Sequence, residues 1–298
     1  MERLRPWLDA VKPAQALMPV LAVEVGAACA RFDARPRAGF ATHLIIDAAA
    51  LAAGCAVHLI DHVWDAPGLP PPDPKRPVPE SERPVDAREA MGAAGVALLA
   101  AAVLGLATAL LSGAAAFGYG LAAVLLGAWR RAPAVGADTL GYGLGDLATV
   151  VALGPLAVLA GFASQASEGA SGAFYAGVPV GLAAASASSL RHFTRRPSDA
   201  AVQRMTPVVA LGEEHAAWIP SLLALGAVAG ILLARRGGEY PPATWVATVP
   251  LAAVAVFAAW HLRSDPSGQA RTVERVMVPG VAVALAAIAL TVLTGGPA

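Results

Sequence analysis

Charge is scarce in this chain. Asp, Glu, Lys and Arg make up 14% of its 298 residues, while 57% are hydrophobic; a soluble domain carries about 25% charged residues. Too little polar surface remains to coat a water-soluble globule, so lipid is expected to be the solvent. Net charge is zero and no long basic run occurs, which argues against nucleic acid as a partner, because phosphate binding needs a clustered basic surface. The only two cysteines, Cys29 and Cys55, lie in apolar stretches. They offer neither a disulfide framework nor a metal-ligand spacing, and read as small core residues. Long polar blocks are missing too, so one membrane domain over 1–298 is expected rather than two.

What fills the sequence instead is alanine, with 30 glycines beside it; such small residues let transmembrane helices approach closely. A spanning helix takes about 20 apolar residues. On that measure spans are predicted near 13–31, 39–60, 90–111, 114–129, 142–163, 170–190, 216–234, 243–262 and 276–295, an all-α polytopic bundle of nine transmembrane helices. The stretch from Ala90 to Trp129 is uncharged and too long for one span, and Ser112-Gly113 is where a tight turn divides it. A signal peptide is the rival reading of the first span, but Asp9 and Lys12 precede it, Glu24 lies within it, and further spans follow. With the amino terminus inside, 16 of the 21 Lys and Arg residues fall on the cytoplasmic side and 5 on the other, in keeping with the positive-inside rule. The loops at about 61–89 and 191–215 then share the cytoplasmic face and are expected to cap a cavity. The expected setting is a multi-pass protein, of a bacterial inner membrane, with its active face cytoplasmic.

One predicted helix carries a polar stripe. His43, Asp47, His58, Asp61 and Asp65 are spaced by 4, 11, 3 and 4 residues, so at about 100° per residue they fall within about 60° on a helical wheel. Ionisable groups at membrane depth cost about 2.5–3.5 kcal/mol each and usually face a bundle interior or a wet cavity. For His43 and Asp47, interhelical hydrogen bonding explains the pattern equally well. Asp61 and Asp65 lie one turn apart, so both reach a single hard cation; Mg²⁺ takes one or two carboxylates plus phosphate oxygens and water.

Val57-His58-Leu59-Ile60-Asp61-His62-Val63-Trp64-Asp65, followed by Lys75-Arg76-Pro77-Val78-Pro79, resembles the first aspartate-rich signature of the UbiA superfamily of intramembrane prenyltransferases, Asn-Asp-x-x-Asp-x-x-x-Asp and then Arg-Pro-Leu. Asp61 and Asp65 match its last two aspartates, while Val57 and His58 stand where Asn and the first Asp belong. Trp7-Leu8-Asp9-Ala10-Val11-Lys12-Pro13, and then Pro19, is similar to the Trp-x-x-Ala-x-Arg-Pro opening of the menaquinone-type branch, whose acceptor is a dihydroxynaphthoate. Gly143-Leu144-Gly145-Asp146, leading to Leu153-Gly154-Pro155, resembles that branch's Gly-Leu-Gly-Glu/Asp segment. Leu190-Arg191 and Arg204-Met205-Thr206-Pro207 through Gly212 resemble the frame of the second signature, Asn-Asn-x-Arg-Asp-x-x-x-Asp. The likeness extends in order and spacing to about residue 215.

The resemblance implies nine helices around a cavity in which Mg²⁺ holds the diphosphate of a polyprenyl donor, and an aromatic acceptor captures the allylic cation. It makes Asp61, Asp65 and Asp146 the catalytic candidates, with Asp61 and Asp65 as metal ligands. Lys12, Lys75, Arg76, Arg191, Arg195 and Arg196 are the diphosphate-binding candidates, and His43, Asp47, His58, His192 and Asp199 are expected to line the substrate cavity. The second signature departs from the family: His192 and Arg196 hold its aspartate positions, Ser188 and Ser189 its asparagines, and the loop is two residues longer. Pro197 is expected to end the helix before Asp199. Either the arginines bind diphosphate directly or transfer activity is lost; the positive-inside rule alone also accounts for them. A terpene cyclase or a catalytically silent isoprenoid binder keeps the same fold, and a transporter using the polar stripe is the rival of another class.

Overall fold

The computed structural model describes residues 4–33, 39–65, 85–130, 132, 135–141, 143–166 and 170–295. Among these residues every regular element is helical, as befits a chain in lipid, where a helix satisfies its own backbone polar groups. Lys75, Arg76 and most of the predicted loop at 61–89 lie outside the described residues.

Two short helices, α1 (Arg5–Val11) and α2 (Pro13–Ala16), lead into α3 (Met18–Asp33), and α4 (Phe40–Asp65), α5 (Ala87–Ser112) and α6 (Ala114–Trp129) follow. Gly113, at φ 107°, turns the chain between α5 and α6, where the sequence predicts the break. After α7 (Ala137–Leu140), α8 (Leu144–Val151) continues through a π-helical turn at Ala152–Leu156 into α9 (Ala157–Gln165). Pro155 lies in that turn and has no N–H to donate, which favours a local widening of the helix. Next come α10 (Ala170–Ser189), α11 (Arg191–Ala201), α12 (Pro207–Leu211), α13 (Glu213–Ala216) and α14 (Ile219–Arg236). A 3₁₀ turn at Pro242–Ala247, α15 (Thr248–Ser264) and α16 (Pro266–Thr294) complete the chain.

Seven helices among the described residues are long and apolar enough to cross a membrane, or eight if α10 and α11, bent by 62°, form one broken span. The remaining predicted span, α6, has 16 residues, shorter than a crossing usually takes. Large apolar side chains such as Leu110, Val96 and Trp260 point outward and are exposed. The chain is an integral, multi-pass membrane protein.

Three expectations are corrected. The first candidate span runs over Arg5–Phe32, so it begins ahead of the predicted residue 13. The last helix begins at Pro266, ahead of the predicted 276, because the Asp265 carboxylate caps it, accepting from the Gly268 N–H at 3.0 Å. And α11 runs through Pro197 to Ala201; the chain bends before it, at Leu190.

The helices close a ring: α3 packs on α4, α9 and α16, α4 on α5, α6 on α9, and α10 on α14. Alanines such as Ala22, Ala176, Ala183 and Ala227 fill the core at full burial. The tightest approach joins α3 to α9, where a Cβ on Gly161 would overlap the Val23 carbonyl, and one on Gly26 the Val158 carbonyl. Gly161→Leu is therefore expected to abolish a monodisperse, cooperatively unfolding protein in detergent, since forced overpacking costs about 1–3 kcal/mol or more. Gly92→Leu, with open space at its Cβ, is expected to behave as wild type in the same gel filtration and melting assays.

Candidate active site

The polar centre is built around Asp61, in the penultimate turn of α4 and only 2% exposed. Its Oδ2 accepts from Arg130 NH2 at 3.2 Å and lies 3.7 Å from Arg191 NH1. Arg130 follows α6 directly; its NH1 donates to Thr149 Oγ1 at 2.9 Å, and that hydroxyl donates to the Gly145 carbonyl at 3.0 Å. Arg191 opens α11, just past the 62° bend, which turns its side chain inward. Its Nε sits 4.0 Å from Glu274 Oε1 on α16, and the same oxygen accepts from Gln15 Nε2 on α2 at 2.6 Å.

Lys12 reaches this group through an unusual backbone. It adopts the left-handed conformation, φ 51° and ψ 66°, between α1 and α2, which costs a non-glycine residue about 1–3 kcal/mol and is typical of functional sites. Lys12 interacts electrostatically with Arg191, Arg195, Glu274 and Asp61. Among the described residues Lys12, Arg130, Arg191 and Arg195 thus gather near Asp61 and Glu274. A sheltered group of this kind, rich in basic side chains, is suited to a multiply charged anion.

The Gly143 to Asp146 segment explains how Arg130 fits. A Cβ on Gly145 would overlap the Asp138 carboxylate and lie 3.3 Å from Arg130 Cγ, so only glycine leaves both side chains their room. Asp146, one residue on, is buried, and its Oδ1 lies 3.1 Å from His192 Nε2. His192 of α11 is thereby paired with an aspartate 46 residues earlier in the chain.

Two adjoining cavities lead away from the cations. One is bordered by Arg130, Arg191, His58 and Gln15 and walled by residues such as Val57, Leu153 and Ala184. The other is lined almost wholly by apolar groups, among them Val23, Ile46, Leu98 and Phe117. Pro19, Ala53, Ala123, Val124 and Ala157 wall both. The result is a charged mouth on a long apolar space, the shape of an amphiphile with an anionic head.

Of the residues singled out in the sequence, Lys12, His58, Asp61, Arg191 and Arg195 come together here, with Asp146 and His192 paired beside them. His58 Nδ1 is buried and makes no hydrogen bond among the described residues. Arg196 is not brought in: it is about half exposed and donates to Glu213 Oε1 at 2.6 Å. Asp199 faces Arg204 NH1 at 3.4 Å, and Arg204 NH2 donates to the Trp64 carbonyl at 3.0 Å, tying α11 to the end of α4. His43 and Asp47 lie 18 and 14 residues before Asp61, roughly 27 and 21 Å along the helix, and line neither cavity mouth nor cation cluster. Asp65 ends α4, and its side chain lies outside the described residues. Arg130, Thr149, Gln15 and Glu274 went unseen in the sequence. The only signals were an arginine pair after a span and single polar residues beside apolar runs.

In sequence the chain matches no family model and no curated protein. In structure it is similar along nearly its whole length to solved membrane proteins. A UbiA homologue from Archaeoglobus fulgidus bound to DMAPP and Mg²⁺ has a TM-score of 0.64 at 15% identity, covering 95% of this chain and 98% of that one. The fold is the UbiA fold. Another UbiA homologue, from Aeropyrum pernix K1 and without ligand, gives 0.63 at 17% identity over 90% and 97% of the two chains. A digeranylgeranylglyceryl phosphate synthase gives 0.60 at 12% identity over 98% and 99%. At such identities the UbiA fold fixes the arrangement of helices and leaves the chemistry to be argued from the residues.

Proposed function

We propose that this protein is a membrane prenyltransferase that moves an isoprenoid chain from a prenyl diphosphate to an aromatic, quinone-precursor-like acceptor, as in the menaquinone-type branch. The observation that carries the reading is the buried basic cluster whose Arg130 and Arg191 border an apolar cavity, within a fold whose solved relatives include one bound to DMAPP and Mg²⁺ and one bound to GPP and Mg²⁺. The active face is assigned to the cytoplasm of a bacterial inner membrane crossed nine times, since the positive-inside count favours that orientation.

In this reading Lys12, Arg191 and Arg195 hold the diphosphate by charge-assisted hydrogen bonds, while Asp61 and Glu274 fix the guanidinium of Arg191. The C–O bond of the donor breaks with its electron pair leaving on the diphosphate. The allylic cation forms in the apolar cavity, where exclusion of water protects it. An electron-rich ring carbon of the acceptor bonds to the cation, and His58 Nδ1, which has no hydrogen-bond partner among the described residues, receives the displaced ring proton. The hydrocarbon tail occupies the space between Val23, Ile46 and Phe117.

Asp61 and Asp65, four residues apart in sequence, would hold one Mg²⁺, whose chemistry would be to stabilise charge on the departing diphosphate. A second ion does not fit at the second signature, where His192 bonds to Asp146 and Arg196 to Glu213. That same substitution favours a second reading, a UbiA-fold terpene cyclase or silent isoprenoid binder. Mass spectra of lipid extracts from cells with and without the gene separate these. Loss of a prenylated aromatic supports transfer, loss of a cyclic hydrocarbon supports cyclisation, and identical extracts contradict both enzymatic readings.

Asp146→Asn is expected to lower turnover or raise the acceptor KM by about tenfold, because the histidine it orients would lose its anionic partner, with the melting curve unchanged. Wild-type kinetics would return Asp146 to a packing role.

A further inference from the structure

At the other end of α4 three potential ligands converge. His43 Nε2 lies 3.0 Å from Glu24 Oε1 on α3 and 3.7 Å from Asp47 Oδ2, one turn along its own helix. One donor atom from each of the three side chains lies within 4.8 Å of both others. These separations straddle the roughly 3.3 Å edge of a tetrahedron whose metal–ligand bonds are about 2.0–2.1 Å.

The electrostatics point the same way. Among the described residues no Lys or Arg pairs with Glu24, His43 or Asp47, and the ion-pair contacts of the three are with one another. His43 Nδ1 and Asp47 Oδ1 are buried without a hydrogen-bond partner among the described residues. Two carboxylates inside an apolar bundle are costly unless neutralised, and one divalent cation neutralises both. The imidazole selects a borderline transition ion over Mg²⁺, which prefers an all-oxygen shell. Side-chain exposures of 26% for Glu24, 13% for His43 and 17% for Asp47 leave a path for an ion and a fourth, water ligand.

We propose that Glu24, His43 and Asp47 bind a Zn²⁺-type cation, separate from the Asp61 site, that clamps α3 to α4. The neighbouring residues Val23 and Ile46 line the apolar cavity, so the clamp holds the spacing of that wall.

The test uses the full-length protein, purified in detergent and stripped with a chelator. Titration with ZnCl₂ is expected to show one ion per chain and, at about 100 times Kd, to raise the melting midpoint by roughly 5 °C or more. Glu24→Gln, His43→Gln and Asp47→Asn are each expected to weaken binding at least about tenfold, whereas Asp61→Asn leaves it unchanged. Should a variant fail to fold, Co²⁺ bound to the stripped wild type decides: an intense visible band marks four-coordination with a nitrogen ligand, and a faint one contradicts it. Failure to bind Zn²⁺, or binding abolished by Asp61→Asn and kept by all three variants, overturns the proposal and leaves a proton shared by the two carboxyls.

Discussion

Asp61→Asn is expected to lower prenyl transfer by at least about two orders of magnitude while leaving a folded protein. Asp61 is the anion on which two arginines converge, Arg130 at 3.2 Å and Arg191 at 3.7 Å, and in the proposed chemistry it is also an oxygen ligand for the single Mg²⁺. Removing one charge-stabilising group from a water-excluded site typically costs about 10²–10³ in rate. Asparagine keeps the shape and a carbonyl acceptor for Arg130, whereas alanine would leave two guanidinium groups facing each other uncompensated, a loss of about 3–5 kcal/mol for a broken buried pair. Turnover measured beside the melting midpoint separates the two effects. Wild-type turnover in a folded Asp61→Asn protein would remove Asp61 from the chemistry.

The second large effect is expected at Arg191. Arg191→Met should raise the KM for the prenyl diphosphate about 10- to 100-fold, since a hydrogen bond to a charged group is worth about 1.5–3 kcal/mol. Methionine fills a similar volume, so packing at this 3%-exposed position is largely kept. Arg191→Lys is expected to recover only part of the loss, because an ammonium replaces a planar fork that reaches Asp61 and Glu274 at once. Arg196→Ala, by contrast, should change donor KM by less than about threefold, as its exposed pairing with Glu213 contributes little. Equal effects at Arg191 and Arg196 would contradict the geometry.

That contrast shows what could be read without coordinates. The helix between Phe40 and Asp65 was legible because its polar residues recur on one face, and the break at Gly113 because an uncharged run of that length cannot be one span. The Gly143 to Asp146 segment was legible as a motif, yet its partner His192 was not, since no spacing rule links positions 46 residues apart. Arg130 was hidden by the positive-inside rule, which puts an arginine beside a span whatever its role. Glu274 sat outside its predicted span and joined the site because the Asp265 cap extends α16 by more than two turns. Arg196 was assigned to the diphosphate by its place in the motif. Its actual partner, Glu213, comes from α13, a helix no sequence pattern set against it. Asp199 stayed within α11 because Pro197 costs that helix one hydrogen bond without ending it.

In the proposed chemistry the cationic mouth and the apolar cavity together ionise a prenyl diphosphate for transfer. The most direct test is pyrophosphate release by the purified protein given GPP, Mg²⁺ and a dihydroxynaphthoate acceptor. The expected result is release that depends on Mg²⁺, is matched mole for mole by prenylated acceptor, and falls at least about 100-fold in Asp61→Asn. Absence of release under these conditions, or release from wild type and Asp61→Asn at equal rates, would contradict it.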